Sequence, residues 1–216
     1  MKVNEVFGNT IQGEGPLSGF NATFIRMFGC IAPFCSFCDT PYSWNDEDKE
    51  SKNMSIDDIV KEVKEYPARL IVITGGEPFL QKEIYELIDI LCRQGYTVQL
   101  ETSGKADIDQ EKLNSSAEVV MSPKQYGQKF VIANKGVLDV AHYFKFVVEN
   151  KEEFFNVEKF VRENELDKKK CYLMPKGASR DEQLKSMDYA ARVARANGYL
   201  FSPRLHVLAF DKKRRV

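Results

Sequence analysis

The sequence predicts an α/β fold, a reduced or partial barrel of parallel β–α units, on three observations. Apolar runs of strand length alternate with segments of helical period along most of the chain. The residues best suited to chemistry directly follow predicted strands, where ligands sit in parallel α/β folds. The 216 residues fall short of the roughly 250 of a complete eight-fold barrel.

Strands are expected near Val3–Phe7, Ala22–Phe28, Arg69–Thr74, Tyr96–Glu101, Glu118–Met121, His142–Val148, Cys171–Met174 and Leu205–Ala209. Between them, Ser55 followed by Asp58 reads as a helix N-cap, with Ile59, Val60 and Val63 on one stripe. Glu83–Arg93 repeats Ile84, Leu87, Ile88 and Leu91 at helical spacing before Gly95. Glu152–Asn164 and Arg180–Asn197, the latter followed by Gly198, complete the helices. The polar run Asn45–Asn53 reads as a surface loop. No repeat or low-complexity linker divides the chain, so residues 1–216 are expected to form one domain.

Bulk composition narrows the function. Hydrophobic residues at 43% and charged residues at 29% fit a water-soluble globular chain, and a net charge of −1 provides no global field for nucleic acid or an anionic membrane. The basic run Lys212–Arg215 reads as a solvated tail. No apolar run is long enough to span a bilayer, and Met1–Glu5 carries no hydrophobic targeting segment. A cytoplasmic location is expected, where thiols stay reduced.

Three of the five cysteines, Cys30, Cys35 and Cys38, fall within nine residues. Three thiolates on one loop suit an iron–sulfur cluster with one iron left open to an outside ligand. Structural zinc prefers four protein ligands, and a disulfide would strand one thiol. Cys92 continues a helical apolar face and Cys171 opens a strand, so both read as core.

Other motifs are more ambiguous. Gly75-Gly76-Glu77-Pro78 is either a tight turn or a place where backbone approaches a ligand, with Glu77 accepting from an ammonium group. Strand alternation puts Arg26 on the face of Phe24 and Phe28, where its guanidinium meets either a ligand carboxylate or an internal partner such as Glu14 or Glu101. Thr10-Ile11-Gln12-Gly13-Glu14-Gly15 is a surface turn or presents an amide and a carboxylate to a heterocycle. Asp39-Thr40-Pro41 offers hard oxygens for magnesium or a plain turn. His142 reads as structural, whereas His206 reaches the rim if its strand ends there. No hydrolase triad order, Walker lysine or dinucleotide fingerprint is present.

Together these stretches resemble the radical S-adenosylmethionine superfamily. Within it they resemble the 7-carboxy-7-deazaguanine synthase family, which belongs to queuosine-type deazapurine biosynthesis, a tRNA modification pathway. The resemblance rests on the Thr10–Gly15 motif, Phe24-Ile25-Arg26, Cys38-Asp39-Thr40, Gly75–Pro78, Glu101-Thr102-Ser103-Gly104, Ser122-Pro123-Lys124 and Ser202-Pro203-Arg204-Leu205-His206, in family order. Two departures stand out: four residues rather than three separate Cys30 from Cys35, and Met174 stands where the family often has glutamine. Pro33 is expected to absorb the extra residue in a bulged loop.

The resemblance implies a lyase that contracts 6-carboxy-5,6,7,8-tetrahydropterin to 7-carboxy-7-deazaguanine with loss of ammonia. It implies a 4Fe–4S cluster on Cys30, Cys35 and Cys38, with S-adenosylmethionine held by Phe37, Cys38, Asp39, Gly75, Gly76, Glu77, Gly104, Ser122, Pro123 and Lys124. It gives Thr40 a magnesium ion and gives the pterin Ile11, Gln12, Gly13, Glu14, Arg26, Thr102, His206 and the carboxylate of Val216. No catalytic side chain beyond these ligands is implied. A flavodoxin or ferredoxin reductant and a homodimer are expected, with no nucleic-acid or membrane partner. Two rivals stay open on the residues alone: a small radical activase acting on a partner protein, and a non-catalytic zinc module using the three cysteines with His142 or His206.

Overall fold

The computed structural model describes residues 1–36, 38–45 and 50–216. Their strands are β1 (Lys2–Ile11), β2 (Asn21–Met27), β3 (Lys52–Asn53), β4 (Leu70–Gly75), β5 (Thr97–Thr102), β6 (Glu118–Met121), β7 (Lys124–Tyr126), β8 (Lys129–Val131), β9 (Tyr143–Val148), β10 (Cys171–Pro175) and β11 (Leu200–Phe201). The helices are α1 (Ile56–Lys64), α2 (Ile84–Arg93), α3 (Lys151–Glu163), α4 (Arg180–Asn197) and α5 (Leu205–Phe210).

One sheet runs β11-β10-β9-β6-β5-β4-β2-β1-β3, and β7 and β8 form a separate antiparallel hairpin. Across this sheet every pairing from β11 to β2 is parallel, whereas β1 lies antiparallel to both β2 and β3. The sheet ends in edge strands rather than closing, as expected of a partial barrel.

Strand alternation sorts the residues onto two faces. Ile25 and Met27, Ile71 and Ile73, and Val98 and Leu100 pack against Ile59 and Val63 of α1 and Ile84, Leu87, Ile88 and Leu91 of α2. A second cluster joins Phe144, Phe146, Val148 and Leu173 to Val157, Val161, Ala190 and Ala194 of α3 and α4. The alternate residues, including Phe24, Arg26, Thr74, Glu101 and Lys145, face a cavity.

The helix signals have clear local causes. Ser55 accepts from the Asp58 amide and Asp58 accepts in return from the Ser55 amide, which satisfies two otherwise orphaned donors of α1. Ser179 and Glu182 repeat the arrangement at α4. Each fully buried leucine or isoleucine of α2 contributes about 1.5–3 kcal/mol.

The expected strand at Leu205–Ala209 is instead helix α5. Leu208 N bonds to Arg204 O at 3.0 Å and Asp211 N to Val207 O at 2.8 Å, while Leu200–Phe201 takes the edge position beside β10. Six residues, five of them apolar, are too few for periodicity to separate strand from helix. His142 accepts from the Val119 amide at 3.1 Å, a structural role. Cys171 is buried and Cys92 half-buried, and burial pushes both thiols up. Among the described residues, no helix is long and apolar enough to cross a membrane.

Candidate active site at the carboxyl ends of the strands

The segments that leave β2, β4, β5 and β6 surround a cavity of about 480 Å³. Its floor carries the loop after β2. Cys30, Cys35 and Cys38 all line the cavity, and all three thiols are free. Burial pushes the Cys30 thiol up, with Lys105 opposing. Cys35 Sγ lies 3.6 Å from Tyr126 Oη, and Cys38 Sγ lies 3.8 Å from Thr40 Oγ1.

Backbone contacts fix this loop. Gly29 N bonds to Ser43 O at 2.8 Å, and Glu77 N bonds to Gly29 O at 2.7 Å. A Cβ on Gly76 would sit 1.8 Å from Gly29 O, so only glycine lets the end of β4 approach the cysteine loop this closely. The donor set fits an iron–sulfur group with an open position: three thiols converge from one loop, and no fourth cysteine among the described residues reaches the cavity. Space for a further ligand lies directly beyond them.

Glu77 has a different place from the one its motif suggested. It is fully buried and does not line the cavity. Thr102 Oγ1, Ser103 N and Ser103 Oγ donate to its carboxylate at 2.8, 2.9 and 2.6 Å. Its acceptors are engaged in bracing Thr102-Ser103-Gly104, which leaves little for a ligand's ammonium group. Gly75, Gly76, Thr102, Ser122 and Lys124 do line the cavity; Gly104 lies behind it, Pro123 borders a smaller adjacent pocket, and Phe37 falls outside the described residues.

The opposite wall is built from charge. Lys145 Nζ lies 2.6 Å from both Glu14 Oε2 and Glu101 Oε1. Arg204 stands 3.1 Å from Glu14 and 3.5 Å from Asp39, and His206 Nε2 stands 3.8 Å from Asp39. Burial opposes ionisation of Glu14, yet Lys145 and Arg204 outweigh it and hold the carboxyl at about 2. Asp39 is likewise driven well below the carboxylate range, against burial, by Arg204 and His206. Burial works against the Lys145 ammonium, and Glu101 and Glu14 overcome it.

Gln12 is buried on this wall, its side-chain amide donating to Gln99 and, at 3.3 Å, to Glu101. Gly13 admits helix α5, since a Cβ there would meet His206 Nδ1 at 2.0 Å. That helix, rather than a strand, delivers His206 to the cavity. Ligand atoms of Glu14, Asp39 and His206 lie within 4.8 Å of one another. Arg204 already pairs with both carboxylates of this trio and Lys145 with Glu14, which disfavours a further cation there.

Arg26 also lines the cavity, but its partner is neither Glu14 nor Glu101. Arg26 Nε donates to Glu5 Oε1 at 2.8 Å across the β1–β2 pair, whose register sets Glu5 opposite Arg26. Arg215 reaches the same carboxylate at 2.7 Å and Arg214 at 3.4 Å. The tail thereby folds over the mouth, and the Thr10 hydroxyl donates to Val216 O. Ile11, Thr40 and Val216 line the cavity with them.

Sequence reasoning missed Lys145, Lys105 and the functional placement of Arg204. A lone lysine inside the apolar strand Tyr143–Val148 was the available signal, because a charge buried in a strand requires a partner.

This fold and the three-cysteine floor define a radical S-adenosylmethionine enzyme, and residues 25–123 match the Radical SAM superfamily model. The chain is 35% identical to the 7-carboxy-7-deazaguanine synthase of Hyperthermus butylicus, over 96% of this chain and 92% of that one. It is 33% identical to the Aquifex aeolicus protein of the same name, over 88% and 89%. The crystal structure of QueE from Escherichia coli superimposes with a TM-score of 0.79 at 26% identity, covering 95% of this chain and 94% of that chain. The chain belongs to the 7-carboxy-7-deazaguanine synthase family.

Proposed function

We propose that the chain converts 6-carboxy-5,6,7,8-tetrahydropterin to 7-carboxy-7-deazaguanine with loss of ammonia, a lyase step in queuosine-type biosynthesis. The observation that carries this reading is the pairing of a three-thiol floor with a wall of ionised groups across one cavity. A radical activase acting on a protein would have no evident use for that wall. A zinc module would lack its fourth ligand, since His142 is engaged by Val119 and His206 faces Asp39.

In this reading Cys30, Cys35 and Cys38 hold the 4Fe–4S cluster, which together with S-adenosylmethionine supplies one-electron radical chemistry. Gly75, Gly76, Asp39, Ser122 and Lys124 form the S-adenosylmethionine groove, with Glu77 and Gly104 behind it shaping the Thr102 loop. Pro123 borders it from the adjacent pocket, and Phe37, which the resemblance also assigns to this cofactor, lies outside the described residues. Glu14 stays ionised and so presents acceptor oxygens to the amino and amide donors of the pterin, while Gln12 supplies both donor and acceptor. Ile11, Gly13, Thr102 and His206 shape the pocket around the ring. Arg26 pairs with the substrate carboxylate, sharing its guanidinium with Glu5. The tail excludes water from the mouth, and Val216 supplies a further carboxylate.

Thr40, which lines the cavity next to Asp39 with its hydroxyl 3.8 Å from Cys38 Sγ, is proposed as the magnesium ligand. Residues 1–216 act as one domain, with the N-terminal strand and the C-terminal tail completing the substrate site. The enzyme requires a reductant, for which flavodoxin or ferredoxin is proposed. A homodimer in the cytoplasm is the proposed state.

Anaerobic reconstitution with iron and sulfide, followed by reductant, S-adenosylmethionine, magnesium and the pterin, tests the reading by mass spectrometry. Appearance of 7-carboxy-7-deazaguanine supports it. Cleavage of S-adenosylmethionine with no change in the pterin would overturn the substrate assignment.

A further inference from the structure

The cysteine loop is gripped by an ammonium group that the charged wall does not use. Lys105 follows the Thr102-Ser103-Gly104 turn and is 8% exposed. Its Nζ donates to the carbonyl of Ile31, to Pro33 O at 2.9 Å and to Tyr126 Oη at 3.3 Å. An ammonium group has three N–H donors, and all three are engaged. Two hold the backbone between Cys30 and Cys35, and the third meets the tyrosine whose hydroxyl lies 3.6 Å from Cys35 Sγ.

Two consequences follow. With its donors spent on the loop, Lys105 has none left for a cofactor carboxylate. Among the described residues it forms no ion pair with a carboxylate, so a buried positive charge sits against the backbone of the cysteine loop without a neutralising partner among them. An anionic group held by those thiols would supply the missing counter-charge.

We propose that Lys105 is a positioning residue for the cluster, fixing the Cys30–Cys35 backbone and raising the cluster's one-electron reduction potential through its charge. Net charge and hydrogen bonding around a cluster both set its potential. The inference rests on the reading of Cys30, Cys35 and Cys38 as the cluster ligands.

The test compares wild type with Lys105→Met, Lys105→Arg and Tyr126→Phe. Iron and sulfide content of the reconstituted wild type comes first; a wild type that holds no cluster overturns the ligand reading itself. In a wild type that does hold one, potentiometric titration followed by electron paramagnetic resonance addresses Lys105. Lys105→Met is expected to lower the ratio of reduced to oxidised cluster about tenfold at a fixed potential, a shift of about 59 mV for one electron. Lys105→Arg, which keeps the charge, is expected to restore the wild-type value. Tyr126→Phe, which removes one hydroxyl beside Cys35 but keeps the ammonium charge, is expected to shift the potential less than Lys105→Met does.

Hydrogen exchange at the amides of Ile31, Ala32, Phe34 and Cys35 in the cluster-free chain is expected to quicken in Lys105→Met and to recover in Lys105→Arg. Should Lys105→Met fail to fold, Lys105→Gln keeps two donors without the charge and takes its place. A lysine-free variant with wild-type potential overturns the proposal. So does one whose sole defect is weaker binding of S-adenosylmethionine.

Discussion

The two walls of the cavity are built from different materials. On the cysteine side the contacts are mostly backbone: Gly29, Gly76 and Glu77 amides and carbonyls lock together, and the loop carbonyls face Lys105. On the far side they are charged side chains, with Glu14, Asp39, Glu101, Lys145 and Arg204 packed into one network. Backbone packing is indifferent to pH and tolerant of many side chains, but it has no room for added atoms. A buried charge network discriminates between ligands, yet it depends on every member staying ionised.

Removing the central cation breaks the charged wall most severely. Lys145→Met leaves two carboxylates facing each other and is expected to cost about 3–5 kcal/mol in urea unfolding of the cluster-free chain. The variant should still take up iron on reconstitution, because Lys145 pairs with Glu14 and Glu101, and Asp39, the network member beside Cys38, keeps Arg204 as its partner. Loss of iron together with stability would show that the two walls are not independent.

Acid sharpens the contrast next. Glu14 has a folded value of about 2 against an ordinary 4.5, so its contribution is complete above about pH 4.5 and is lost as the pH falls towards 2. The stability margin of wild type over Glu14→Gln is expected to shrink across that window by up to about 3 kcal/mol. A margin constant from pH 5 to pH 2 would remove Glu14 from the network.

Crowding tests the cysteine wall. Gly76→Ala places a methyl against Gly29 O and is expected to cost about 2 kcal/mol. Its iron content should fall well below that of wild type, the inverse of the Lys145→Met pattern. The mildest change is at the mouth. Arg214→Ala removes a partly exposed ion pair with Glu50 and a stacking contact 3.7 Å above Tyr42, so stability should change by less than about 1 kcal/mol. A few-fold rise in the pterin KM with kcat unchanged is the expected kinetic signature.

The cysteine wall was legible in the sequence because its parts are local. Cys30, Cys35, Cys38 and the Gly75-Gly76 pair announce themselves by residue type and spacing. The charged wall was only half legible. Gln12, Glu14 and Arg26 stood out within their motifs, but the partner of Arg26 turned out to be Glu5, which the β1–β2 register determines. Lys145 meets Glu14 across 131 positions, a distance over which no pattern speaks. Helix α5 escaped because an isolated segment of six residues has no diagnostic period, and the β7–β8 hairpin because its strands are three residues each.

The separation along the chain also orders events during synthesis. Lys105 meets the cysteine loop across 72 and 74 positions, whereas Ser202 meets the amide of Gly15 across 187. A ribosome makes the N-terminal part first, so the residues that grip the metal loop have all been made well before Ser202, Arg204 and His206 exist. The longer closure carries an added entropic cost of only roughly 0.8 kcal/mol. Delay, more than energy, is what it imposes: the thiols and the N-terminal part of the substrate pocket are made while Arg204, His206 and Val216, which complete that pocket, are still untranslated.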